Sequence, residues 1–370
     1  MSARGGVGIV GCGAISRQYL ATLASLDELE LVAVSDLDSA RARAVADAHP
    51  GVKVLTVPEL VAHEAVDVVL NLTIPAAHAE VAHQAIEGGK DVYLEKPLAA
   101  TTAEARKVLS AASERGVRIG CAPDTVLGTG IQTARRALDD GCVGRPLSAT
   151  ATMMVPGHER WHPDPDFYYV PGGGPLLDMG PYYITSLVTL LGPVASVTGT
   201  SSRSRATRVI ASGPRKGEAI PVTTDTHVTG VLTHDSGALS TIVMSFDAVA
   251  TASSHIEVHG DTGSLAVPDP NRFSGEVKLF ELGGEAWQTL TPSAGYRDAS
   301  RGFGLADMMR TPKTEDPRAS GPLAYHVLDV MESLLESART GTSVPVGSTC
   351  ARPAAVPLSQ AASLPPTATS

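Results

Sequence analysis

The feature that most constrains this chain is a short apolar strand, Val7–Val10, running into Gly11-Cys12-Gly13-Ala14-Ile15-Ser16 and then an amphipathic stretch, Ser16–Ser25. A first glycine permits a tight strand-to-helix turn, and a second lets the backbone approach a bound group at the helix N-terminus. The alternation continues. Leu31–Ser35, Val52–Leu55, Val66–Leu70, Asp91–Leu94 and Val117–Cys121 read as apolar strands, and Ala40–Ala48, His78–Glu87 and Thr102–Arg115 as amphipathic helices. Continuous apolar strands separated by helices predict a doubly wound parallel α/β domain of the Rossmann type, covered on both faces. We place it at residues 1–121.

Beyond residue 121 the pattern changes. A helix over Gly130–Asp140 is followed by strand-like segments at Arg145–Val155, Ala195–Ser202, Thr223–Thr233, Ala238–Val249, His255–His259, Ser264–Pro268 and Val277–Glu281. One helix, Leu176–Leu191, interrupts them. Strands without intervening helices predict a mostly antiparallel sheet, hence an α+β domain over 122–345. Residues 291–322, rich in Gly and Pro, read as a long loop, and Leu323–Arg339 as a last helix expected to pack back towards the site. The tail, 346–370, is rich in Pro, Ala and Ser, and its end is expected to be poorly ordered.

A length of 370 residues suits two domains. The net charge of −10 argues against a nucleic-acid surface, which needs clustered Lys and Arg. No run approaches the ~18 apolar residues of a membrane span, and the N-terminus lacks signal-peptide character. Cys12, Cys121, Cys142 and Cys350 have neither metal-ligand nor CxxC spacing. A reduced, cytoplasmic protein is expected.

Asp36 ends the second strand, 23 residues after Gly13. A carboxylate there accepts from ribose hydroxyls and repels a 2′-phosphate; Leu37-Asp38 adds no Arg. NAD is therefore expected over NADP. Two later strand ends carry Asn71-Leu72-Thr73-Ile74-Pro75-Ala76-Ala77-His78 and Glu95-Lys96-Pro97. Ligands bind at the carboxyl ends of parallel strands, and a partly buried lysine near a nicotinamide cation is fitted for proton transfer near neutral pH.

GCGAIS, TIPAAHAE and YLEKPLA together resemble the Gfo/Idh/MocA family of nicotinamide-dependent oxidoreductases, as does Gly172-Gly173-Gly174-Pro175-Leu176-Leu177-Asp178-Met179-Gly180, which is similar to the family's GGGxLxDxG element. The resemblance implies a Rossmann domain followed by an open-faced sheet domain through which copies associate, as a dimer or tetramer. It also implies oxidation or reduction of a ring hydroxyl or ketone of a sugar or polyol. It makes Lys96 the lysine beside the reacting hydroxyl and Asp178 the acidic residue of the same site. Thr73, Ile74, Pro75, His78 and Glu95 fall at cofactor-side positions, with Gly11, Cys12, Gly13, Ala14, Ile15 and Asp36. Where the common pattern has His four residues after the Asp, this chain has Tyr182, which resembles the glucose–fructose oxidoreductase and dihydrodiol dehydrogenase branches. Asp178 and Tyr182, at i and i+4, share one helix face. Lys96 is the expected acid/base, with Tyr182 assisting.

The expected activity is thus an NAD-dependent sugar or polyol dehydrogenase. Redox-neutral glycoside cleavage through transient sugar oxidation and a non-catalytic NAD sensor are the alternatives. His158-Glu159-Arg160-Trp161-His162-Pro163-Asp164-Pro165-Asp166 invites a metal reading, but its prolines prevent a regular spacing, and a substrate-covering loop is expected instead, with no metal. Asp124 is placed at a sugar hydroxyl or on a surface loop. His255, Glu257 and His259 read as sheet-surface residues, and His326 as either a site or a core histidine. Six of the fifteen aromatic residues, Trp161, Phe167, Tyr168, Tyr169, Tyr182 and Tyr183, fall within residues 161–183. Their flat apolar faces and polar edges suit a pyranose, so Trp161, His162 and Tyr168 are placed with Asp124, Asp178 and Tyr182 on the substrate side.

Overall fold

A computed structural model describes residues 4–360. Strands β1 (Gly5–Val10), β2 (Leu29–Ser35), β3 (Lys53–Val54), β4 (Val68–Asn71), β5 (Asp91–Leu94) and β6 (Ile119–Cys121) form one parallel sheet in the order β3-β2-β1-β4-β5-β6. Helices α1 (Ser16–Leu23), α2 (Ser39–Ala48), α3 (Val57–Ala62), α4 (Pro75–Glu87) and α5 (Thr102–Arg115) connect them. The short α3 was not expected. It starts on a capping box, in which Thr56 Oγ accepts from Glu59 N and Glu59 Oε2 accepts from Thr56 N at 2.9 Å. Val7, Ile9, Val68, Val69, Leu70, Val92 and Leu94 are wholly buried, each contributing about 1.5–3 kcal/mol. The strand order reverses between β1 and β4, where their carboxyl ends bring Gly11 and Thr73 together.

The described residues form two compact units, and the chain does not divide at a single point. Residues up to 128, 296–325 and those from 356 onward make the first; 129–295 and 326–355 make the second. In the second, α6 (Thr129–Asp139) precedes β7 (Pro146–Met154), and α7 (Pro175–Leu191) precedes β8 (Val194–Ser202). A small hairpin, β9 (Thr207–Val209) with β10 (Ala219–Pro221), stands apart. There follow β11 (His227–His234), β12 (Leu239–Ser245), β13 (Ile256–Gly260), β14 (Gly263–Val267), β15 (Val277–Glu281) and β16 (Gln288–Leu290). With β18 (Val344–Pro345) they complete a nine-stranded sheet, β16-β15-β14-β13-β7-β12-β11-β8-β18, antiparallel except for the β7–β12 pair.

Strand periodicity divides its faces. Ala149, Ala151, Leu232, Ile242 and Met244 are buried on the side packed against α7, whereas Thr150, Thr198, Val231, Leu239 and Thr241 are exposed on the other.

Residues 291–322, expected as a loop, instead carry β17 (Tyr296–Arg297) and a two-turn helix, α8 (Phe303–Arg310), both in the first unit. Phe303, Leu305, Ala306 and Met308 of α8 are buried. Arg118 holds this returning segment, donating from Nη1 to the carbonyls of Met308 and Thr311, both at 2.7 Å, while its Nε and Nη2 bind Asp91. Helix α9 (Gly321–Thr340) leads to β18 (Val344–Pro345). In the second unit, Leu334 packs where Gly199 and Gly230 adjoin across β8 and β11. A Cβ at either glycine would lie 2.5–2.6 Å from its Cδ1. The final strand, β19 (Ser359–Gln360), pairs with β17 in the first unit. The end of the Pro/Ala/Ser-rich tail, 361–370, lies outside the described residues.

Candidate active site

In the first unit the glycine turn is shaped by backbone. Gly11 has φ +99°, and a Cβ there would lie 2.7 Å from the Leu72 carbonyl group, so the position excludes every other residue. Around Gly13 the same test meets nothing within 4 Å, leaving an open cradle over the turn. Ser16, at the third glycine position, is buried and donates from Oγ to the Gly13 carbonyl at 2.7 Å. Helix α1 begins after Ile15 with no side-chain cap and no acidic residue in its first turn, so no side-chain charge offsets the positive end of its dipole. Ala14 is exposed beside this start. Asp36 Oδ2 accepts from Cys12 N at 2.7 Å and Oδ1 from Asp38 N at 2.8 Å, which fixes the carboxylate at the end of β2. Burial, then Asp36, pushes the Cys12 thiol up to about 11, so it stays protonated. An open glycine cradle, an uncapped helix start and a fixed carboxylate at the next strand end fit the pyrophosphate and ribose of NAD.

The neighbouring strand ends are tied together by side chains below the surface. Asn71, wholly buried, accepts from Thr73 Oγ1 at 2.6 Å and donates to the His78 carbonyl at 3.0 Å. The buried His78 ring lies between the Pro97 carbonyl at 2.6 Å and the Thr73 carbonyl at 3.0 Å, and burial lowers its pKa. Ile74 is exposed and Pro75 opens α4. Glu95 accepts from Tyr19 Oη at 2.8 Å and from the amide of Lys96 at 3.0 Å, bracing the half-buried Lys96 just past β5.

Asp124, placed by the sequence at a sugar hydroxyl or in a surface loop, does neither. It is fully buried, and its Oδ2 accepts from Gly302 N at 2.8 Å and Gly304 N at 3.0 Å. Among the described residues its Oδ1 and the nearby Tyr93 hydroxyl have no hydrogen-bond partner, and burial raises the Asp124 pKa to about 6. The residue anchors the returning segment.

In the second unit, Gly173 and Gly174 pack against the backbone of Phe167–Tyr168, with Gly174 N donating to the Tyr168 carbonyl at 2.8 Å. Gly174 delivers the chain into α7, whose first turn carries Asp178; Tyr182, one turn on, is buried. His158 is a partner of Asp178, with Nε2 3.0 Å from Oδ2. Sequence spacing does not reveal this pair, because its members lie 20 positions apart across turns and single-turn helices. The signal was His158's place at the head of the aromatic cluster. Its ring packs against Trp161, Tyr168 and Phe246, with centroids 4.4–5.1 Å apart, while His162 packs against Trp161, Phe167 and Tyr168. Trp161 and Phe167 expose more than half of their surface.

One matching family model covers residues 6–122 and describes an oxidoreductase family with an NAD-binding Rossmann fold; a second, the GFO/IDH/MocA C-terminal domain, covers 131–266. The chain belongs to the Gfo/Idh/MocA family. Among its Gfo/Idh/MocA relatives, a 1,5-anhydro-D-fructose reductase of Ensifer adhaerens is 28% identical over 80% of this chain and 86% of its own. A D-xylose 1-dehydrogenase (NADP(+)) of Haloferax volcanii is 27% identical over 91% and 98%. The crystal structure of an NAD binding oxidoreductase from Klebsiella pneumoniae shares the fold, with a TM-score of 0.79 at 23% identity over 93% and 99% of the two chains.

Other polar groups of this Gfo/Idh/MocA chain have structural partners. Asp164 and Asp166 bind Arg215, the latter at 2.6 Å, and among the described residues no group of three or more His, Cys, Asp or Glu is arranged to hold a metal ion. His326 is a buried core histidine that accepts from Val194 N at 3.0 Å. His255 meets Tyr183 Oη at 2.9 Å. Among the described residues no helix is long and apolar enough to cross a membrane.

Proposed function

We propose that the protein is a cytoplasmic NAD(H)-dependent oxidoreductase acting on a secondary hydroxyl or ketone of a sugar, polyol or glycoside. The observation that carries this reading is the Asp178 carboxylate, held by His158 at the start of α7 among aromatic faces, in a chain whose first unit carries the glycine cradle and Asp36. A carboxylate accepts from a hydroxyl, and rings pack on sugar C–H faces. The two named relatives, a reductase and a dehydrogenase of sugars, support the same substrate class.

In this reading the first unit binds NAD through Gly11, Cys12, Gly13, Ala14, Ile15 and Asp36, with Thr73, Ile74 and Pro75 at the adjoining strand end. His78 and Glu95 hold that wall from beneath. NAD held by these residues would supply the acceptor or donor of the hydride. Lys96 takes the hydroxyl proton, Asp178 orients the hydroxyl, and Tyr182 assists. Trp161, His162 and Tyr168 contact the sugar ring. Asp36, followed directly by Leu37-Asp38 and not by an arginine, favours NAD over NADP. The outer face of the nine-stranded sheet, with exposed Val231 and Leu239 among threonines, is the surface through which copies associate.

The test is a screen of sugars, inositols and glycosides with NAD⁺, followed by NADH absorbance at 340 nm. Turnover of a polyol is expected. Tight NADH binding with no turnover across the screen would remove the substrate assignment.

A further inference from the structure

We infer that Trp161 fixes the tautomer of His158, so that His158 is a positioning residue donating its single ring proton to Asp178. This rests on the reading of Asp178 as the acceptor of the substrate hydroxyl. The indole N–H of Trp161 points at His158 Nδ1 across 3.3 Å. An indole nitrogen can only donate, so Nδ1 must present its lone pair. The ring proton is then on Nε2, which faces Asp178 Oδ2 at 3.0 Å. A neutral imidazole has one proton to give, and Trp161 decides which nitrogen carries it. The bond uses one of a carboxylate's roughly four acceptor positions and sets the orientation of its plane for a hydroxyl.

The segment that carries His158 is held from beneath. The amide of His158 donates to Tyr169 Oη at 3.0 Å, and Tyr169 donates in turn to Glu159. Arg208, 3% exposed, binds Glu159 at 2.8 Å, Asp247 at 2.5 Å and the carbonyls of Pro156 and Phe246, with its guanidinium 5.0 Å from the Tyr169 ring centroid. A buried Arg with two carboxylates and two carbonyls is a rigid footing. Gly157, at φ +106°, lies against this footing, where a Cβ would collide with Glu159 and Arg208. Trp161 itself is 59% exposed, so changing it leaves the footing intact.

The test has two arms. In the first, long-range ¹H–¹⁵N correlation spectra of histidine-labelled protein at neutral pH report the His158 tautomer, assigned by loss of the signal in His158→Gln. The Nε2–H form is expected in the wild type and a mixture of tautomers in Trp161→Phe. An Nδ1–H form or a doubly protonated ring in the wild type, or an unchanged tautomer in Trp161→Phe, overturns the inference. This arm needs no substrate. In the second arm, with a polyol found to turn over, His158→Leu is expected to lower kcat roughly 100-fold and Trp161→Phe roughly 10-fold, with KM for NAD⁺ unchanged. His158→Gln, whose amide can still donate, should recover most of kcat; an equal loss in Gln and Leu overturns the positioning role. A tautomer result as expected beside a failed polyol screen refutes the reaction while leaving the Trp161–His158 relation standing.

Discussion

At the glycine turn of the first unit, shape comes from backbone: a positive φ at Gly11, a contact with the Leu72 carbonyl that excludes any side chain, and a start of α1 with no side-chain cap. At Asp178 in the second unit the same task falls to side chains. His158 reaches the carboxylate from a loop, Trp161 orients His158, and Arg208 secures the loop from below. The first kind of site is written in consecutive residues. The second is assembled from residues 158, 161, 169, 178, 208 and 247, whose proximity exists only once the sheet and α7 are in place.

Replacing Lys96 tests this contrast most severely. If the first region binds through its backbone, Lys96→Met should reduce hydride transfer by about 10³-fold while NADH binding by fluorescence titration is unchanged. Loss of NADH binding alongside activity would show that the cofactor region depends on this side chain. Asp124 comes next, since it is a side chain bracing the backbone-built unit. Its folded pKa of about 6, against 3.8 unfolded, means the fold favours the neutral acid. The associated stability is present below about pH 4 and is lost as pH rises through about 6, a change on the order of 3 kcal/mol. Asp124→Asn should flatten that slope in urea titrations between pH 4 and pH 7; an unaltered slope would assign it to another group.

A smaller effect is expected in the side-chain-built region. Tyr182→Phe should cost roughly 10-fold in kcat if its hydroxyl assists proton transfer, without altering NADH affinity. A loss as large as that of Lys96→Met would exchange their roles. The smallest change concerns the one part of the cofactor region read by a charge. Asp36→Asn keeps an acceptor for the Cys12 amide but removes repulsion of a 2′-phosphate, worth about 1 kcal/mol for charges near 4 Å in water. NADP⁺ affinity should rise by about fivefold, and no gain would locate the selectivity elsewhere.

Much of the fold was legible because it follows from local rules. The six strands of the first sheet and the i, i+4 placement of Asp178 and Tyr182 need only periodicity and turn chemistry. Helix α8 was hidden for a physical reason. Gly304 is required because a Cβ there would run into the Tyr93 hydroxyl and lie 2.7 Å from Asp124 Cβ, and Gly302 has φ +109°. These glycines made a buried helix read as a loop. The small β9–β10 hairpin escaped for a related reason, its strands being three residues each. The role of Asp124 was equally illegible, since its partners lie 178 and 180 residues further along the chain.

The return of residues 296–325 to the first unit has a consequence for synthesis on the ribosome. The Rossmann strands emerge early, yet the carbonyls that satisfy Arg118 and the amides that satisfy Asp124 belong to a segment translated only after the whole of 129–295. During that interval Arg118 of the nascent first unit has Asp91 but not the two carbonyls that complete its Nη1, and Asp124 lacks both of its amide donors. Its completion therefore waits on a stretch of chain that has first to make another unit's sheet, so translation order and structural order run against each other in this protein.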